Sequence, residues 1–272
     1  MPIVKSGDAN IYYEVRGQGE PLVMIIGIGG HLLQWGQLPD DFARQYKVIL
    51  LDNRGAGRSD RLQGPITMSQ MADDVAAVMD ATSTGKAHVF GISMGGMIAQ
   101  EFAIRHSDRL LNLVLGCTTP SGTHHIPSDA EARRILFDAE YLKSLTPEQQ
   151  TMETFTFLCT EEFIKDNPDI YQYYHKVTVE YLTPGNTYKY QGNAVHEWTS
   201  WDGLPDIKAP TMVITGTADR IINPGNSKLI AERIPGSELV LLQDKRHGFF
   251  IEARESTRLF INGFMKRHGV KI

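Results

Sequence analysis

The stretch His88 to Ala103, HVFGISMGGMIAQEFA, constrains the fold more than any other part of the chain. An apolar run ending at Phe90 passes at once into glycines at 91, 95 and 96, and then into apolar residues at helical spacing, Ile98, Phe102 and Ala103. A strand that turns sharply into a helix forces its corner residue into a strained conformation, so the neighbours at 91 and 95 must be small for the turn to close. The same rhythm of short β-branched runs and longer helical patterns fills the first part of the chain, which predicts a mostly parallel sheet.

Strands are expected at 10–15, 21–27, 47–52, 87–91 and 110–116, and helices at 69–81 and 94–106. The runs VMIIG and VILLD are almost continuously apolar, as strands covered on both faces are. From about 120 to 205 strands disappear and helix starts follow one another, with Thr146 before Pro147 and Asn167 before Pro168 reading as N-caps followed by proline. This stretch carries Phe155, Phe157, Tyr171, Tyr173, Tyr174, Tyr181, Trp198 and Trp201, more aromatic surface than its own small core requires. Strands resume at 210–216 and 238–242, and a helix over 252–267 closes the chain. The fold class is therefore α/β, a doubly wound sheet with an inserted helical cap: core residues 1–119, cap 120–205, core 206–272.

Apolar residues make up 42% of the 272 and charged residues 22%, an ordinary globular composition. A net charge of -5 supplies no electrostatic reason for nucleic acid or an anionic membrane as partner. No apolar run is long enough to span a bilayer and the N-terminus lacks the pattern of a secretory leader. Cys117 and Cys159 read as free buried thiols, which suits a cytoplasmic protein.

The corner residue is Ser93, and Gly91-Ile92-Ser93-Met94-Gly95 is the GxSxG pattern of a nucleophile elbow in its strand-to-helix context. The turn lifts the Ser93 hydroxyl clear of the sheet and leaves the Met94 N–H at a helix N-terminus, where the dipole favours negative charge. A serine hydroxyl is a poor nucleophile until a base takes its proton, so a histidine and a carboxylate must reach the same sheet edge. His247 follows the strand 238–242 and Asp219 follows the strand 210–216, and the carboxyl ends of strands in an open α/β sheet line one crevice. Taken singly, Asp219 reads equally as a helix cap and His247 as a loop residue; their order, each after its own strand, favours catalysis. Asp244 sits too close to His247 in sequence, and Asp206 precedes its strand. A second oxyanion donor is expected from the Ile28 N–H in the loop Gly27-Ile28-Gly29-Gly30. That loop is not a dinucleotide fingerprint, since Leu32 stands where the third glycine belongs. The stretch LDNRGAGRSD lacks the GK[ST] ending of a phosphate loop and reads as a tight structural loop in which Asp52 and Arg54 pair. No HxxxH or CxxC spacing points to a metal.

Asp52 to Ser59 as DxRGxGxS, Gly91 to Gly95 as GxSxG, Gly216 to Asp219 as GxxD and the closing His247-Gly248 together resemble the α/β-hydrolase family over essentially the whole chain. Within it the elbow is most similar to cap-bearing esterases and enol-lactonases, which use no cofactor. Two departures stand out: Ile26, not histidine, precedes Gly27, and Gly248 and Phe249 follow His247 where carbon-carbon bond hydrolases carry tryptophan. Serine at 93 also separates the chain from the dehalogenases and epoxide hydrolases, which place aspartate there. The resemblance implies hydrolysis of a small-molecule carboxylic ester or lactone through an acyl-enzyme, in an apolar pocket walled by Trp198, Trp201 and Phe249. A small-molecule receptor of the same fold, an acyltransferase and a perhydrolase are the other readings.

Overall fold

The computed structural model describes residues 2–269. Eight strands form one sheet: β1 (Ile3–Ser6), β2 (Ala9–Arg16), β3 (Glu20–Ile25), β4 (Tyr46–Leu51), β5 (Ala87–Ile92), β6 (Leu110–Gly116), β7 (Thr211–Gly216) and β8 (Glu238–Leu242). Their order is β1-β2-β4-β3-β5-β6-β7-β8, antiparallel at β1-β2 and β2-β4 and parallel from β4 onward. β1 escapes the sequence reading because four residues, half of them polar, hold no measurable period.

Side chains of a strand alternate between faces, and here both faces are covered. Val23, Ile25, Ile49, Leu51, Val89 and Val213 enter one core, which packs against α2 (Met68–Ala81) and α3 (Met94–Arg105). Leu22, Met24, Val48, Leu50, Phe90 and Met212 enter the other, with Trp35, Phe42 of α1 (Leu38–Ala43), and Phe264 of the last helix. The run LVMI of β3 is thus apolar throughout because neither side faces water.

Between β6 and β7 the chain forms α4 (Ala130–Phe137), α5 (Ala139–Lys143), α6 (Pro147–Leu158), α7 (Glu161–Asp166), α8 (Pro168–Glu180) and α9 (Gly185–Glu197). Thr146 caps α6 in a reciprocal capping box with Gln149, whereas the Asn167 side chain turns back to Phe163 O and makes no cap. The segment leaves and returns through a narrow neck, an isolated bridge between Ser121 and Thr199. The chain then descends along α3 to reach the start of β7: Ser200 bonds Gln100 and Gly203 packs on Ile104. After β7 come α10 (Gly225–Arg233), β8, and then two helices instead of one, α11 (Phe249–Glu252) and α12 (Arg254–Arg267), separated at Ala253. Among the described residues no helix is long and apolar enough to cross a membrane.

Candidate active site

Ser93 sits between β5 and α3 with φ 55 and ψ -126, a backbone conformation that side chains rarely adopt. The neighbours explain why the corner is possible. A Cβ on Gly91 would lie 2.1 Å from Gly95 O, and one on Gly95 2.1 Å from Ile25 O, so any larger residue would push the helix off the sheet. The corner is pinned from the adjacent strand, where Gly116 O accepts Ser93 N–H at 2.9 Å and Thr118 Oγ1 donates to Ser93 O at 2.8 Å.

Asp219 follows β7 and His247 follows β8, and His247 Nδ1 stands 2.8 Å from Asp219 Oδ2. The other oxygen, Oδ1, accepts the N–H groups of Ile221 and Ile222 at 2.8 and 2.9 Å. These bonds fix the carboxylate, which selects the Nδ1–H tautomer and leaves Nε2 as the basic atom. Burial works to lower the His247 pKa, but the Asp219 charge outweighs it and the imidazole is held well above the ordinary histidine range. Ser93, Asp219 and His247 are 9%, 5% and 5% exposed, so the group lies almost out of water.

Nε2 of His247 faces Cys117, whose Sγ is 3.9 Å away in the bend after β6. Burial pushes the Cys117 thiol up, with the imidazole opposing. Among the described residues no hydrogen bond joins Ser93 Oγ to His247; such contacts commonly close only when substrate arrives. Cys117, Asp219 and His247 are the one grouping among the described residues with metal-ligand chemistry, their donor atoms within 4.8 Å of one another. With the Asp219 oxygens already engaged, two ligands remain, short of the three or four that zinc sites use.

Gly27 flanks the serine, since a Cβ there would lie 3.0 Å from Ser93 Cβ and 3.4 Å from Oγ. The following Ile28 is partly buried against the core cluster that includes Met94 and Met97. Met94 opens α3, so its N–H has no acceptor within the helix. The loop Asp52 to Ser59 braces this edge. Asn53 Nδ2 donates to Ile26 O at 2.9 Å, and Asp52 accepts Leu32 N–H at 2.7 Å. The expected Asp52–Arg54 pair does not form. Asp52 pairs with Arg58 at 3.2 Å, and Arg54 reaches the buried Asp74 of α2 at 2.6 Å and Asp8 at 3.0 Å.

The three aromatic residues expected as pocket walls lie elsewhere. Trp198 Nε1 donates to Glu101 and Trp201 stacks on His124 with Arg233 over its ring, both on the descending crossover. Glu101 is the eighth residue of α3, about 12 Å along the axis from the Ser93 corner. Phe249 is fully buried in the core beneath the sheet, where its edge meets Gly116. What sequence reasoning misses is polar: Thr183, Thr187 and Gln191, buried in the segment between β6 and β7, and Cys117 beside the imidazole. In the sequence Cys117 is only a buried thiol, and nothing there marks it as a neighbour of His247.

A model of the alpha/beta hydrolase fold family matches residues 20–254, and the chain belongs to that family. It is 30% identical over 254 residues to the Azorhizobium caulinodans protein named "Putative carbamate hydrolase RutD", covering 92% of each chain. It is 28% identical to 3-oxoadipate enol-lactonase 2 of Acinetobacter baylyi, covering 96% of this chain and 94% of that one. Among solved structures, a thermophilic esterase from Thermogutta terrifontis, crystallised with malate, superposes with a TM-score of 0.83 at 26% identity, over 98% of this chain and 99% of that one.

Proposed function

We propose that the chain is a serine hydrolase cleaving a small-molecule carboxylic ester or lactone, with Ser93 as nucleophile, His247 as base and Asp219 as the group that orients it. The observation that carries this reading is the 2.8 Å Asp219–His247 bond beside a serine held at φ 55. As Ser93 Oγ bonds to the substrate carbonyl carbon, its proton passes to His247 Nε2 and the carbonyl electron pair moves onto oxygen. The N–H groups of Ile28 and Met94 receive that oxyanion. The imidazolium then protonates the leaving oxygen, and water activated by the same ring releases the acid. Residues 120–205 serve as a cap that closes the site from solvent.

An organophosphonate probe should label Ser93 alone, and Ser93→Ala should lose both the adduct and turnover of a panel of esters, lactones and carbamates. Carbamates join the panel because one relative is named for them and they present the same carbonyl. An adduct on another residue, or turnover surviving Ser93→Ala, rules the assignment out. A single burst followed by silence points instead to a receptor that retains the fold.

A further inference from the structure

Segment 183–191 contributes three polar side chains that are hidden from solvent, Thr187 and Gln191 completely and Thr183 at 8% exposure. None is spent within its own helix. Gln191 Oε1 accepts Gly29 N–H at 2.7 Å while its Nε2 donates to Arg54 O at 3.0 Å. Thr183 Oγ1 donates to Gly29 O at 2.7 Å, and Thr187 Oγ1 to Gly55 O at 3.0 Å. The Tyr188 ring closes over Gly29, whose φ is +63 and where a Cβ would lie 2.4 Å from the ring.

Both polar groups of Gly29 are therefore held by side chains about 154 to 162 residues away in sequence. Peptide units are planar, so fixing the N–H and C=O of one residue fixes the planes on both sides of it. The second of these planes also carries the Gly30 N–H, which donates to Gly27 O at 3.1 Å, and the Gly27 C=O lies in one peptide plane with the Ile28 N–H. We infer that Thr183 and Gln191 are positioning residues, through which the helical segment sets the direction of the Ile28 N–H and so couples its own seating to turnover. This rests on the serine-hydrolase reading above. If the segment 183–191 lifts, Gly29 loses both partners at once, and a buried amide left unpaired moves to find another. A substrate that settles α9 thus completes the oxyanion site as it binds.

The test uses the full chain with Thr183→Val, Thr183→Ser and Gln191→Leu, each checked for a cooperative melting transition above the assay temperature and for complete phosphonate labelling of Ser93. Thr183→Val and Gln191→Leu should lower kcat by about a hundredfold, the scale of a small misplacement of a catalytic group. KM should hold, and Thr183→Ser should recover turnover. Affinity for a trifluoromethyl ketone, whose adduct with Ser93 carries an oxyanion, should fall in step with kcat/KM, while affinity for a product carboxylate stays level. Folded variants that turn over like the parent, or lose only KM, overturn the inference and leave the hydrolase reading intact. A parent protein that neither hydrolyses nor labels removes that reading itself.

Discussion

At Ser93 the chain holds a conformation that glycine adopts more readily than any other residue. Ser93→Gly should therefore abolish turnover yet raise stability by about 1 kcal/mol, the strain released less the flexibility added, readable in a denaturant titration. The pH dependence follows from His247. As the proposed base it works only when neutral, and Asp219 holds its pKa up against burial, so kcat/KM should rise with pH through a midpoint above the ordinary value of about 6.5. Asp219→Asn should move that midpoint toward acid and cut turnover by roughly four orders of magnitude, since the wrong tautomer is then favoured. A midpoint that stays put in Asp219→Asn would detach the carboxylate from the titration. The placing of Ser93, Asp219 and His247 at one sheet edge is legible in the sequence because each follows its own strand and parallel strands end together. Gln191 could not be, because a glutamine on a helix rich in polar residues reads as solvated until the burial of that face is known.

The elements differ in how far sequence pattern reaches. The central strands and α2, α3 and α6 announce themselves through unbroken apolar runs, period and caps. The crossover after the neck does not, because the direction in which it leaves the sheet edge is a tertiary fact, and that direction carries Trp198 onto Glu101 of α3 and Trp201 onto His124 and Arg233. Replacing Trp198 by Phe should accordingly lower thermal stability through the lost Glu101 bond while leaving acyl-chain preference alone, measured across an ester series. The loop after β4 is tied to α2 by Arg54 and Asp74, 3% and 2% exposed, in a two-bond fork. Asp74→Ala should cost up to about 3–5 kcal/mol by leaving a buried guanidinium with only Asp8 and Ser6 O as partners, whereas Arg54→Met with Asp74→Leu should fall much nearer the parent. Equal losses in the single and double variants would show that the charge pair is not what the loop depends on.

The whole molecule joins a sheet with a large core on each face to a helical segment whose own clusters are small, one around Ala132, Ile135 and Phe157 and one around Phe155, Cys159 and Tyr174. Amide exchange should therefore be slowest in β3, β5 and β6 and fastest in α7, which buries no residue, with binding of a trifluoromethyl ketone slowing exchange at 183–191. The segment touches the sheet edge at more than its neck: Gly248 N–H reaches Leu158 O at 2.6 Å, and Glu252 holds Thr160. The bridge at Ser121 and Thr199 nevertheless brings exit and return together. Such a junction invites recombination, because a foreign segment spliced there meets two adjacent chain ends and disturbs no strand. Its success is then decided at a second place, by whether the newcomer brings a hydroxyl and a carboxamide to Gly29. Lineages exchanging this part would inherit a new binding surface and the burden of rebuilding those two contacts in the same event.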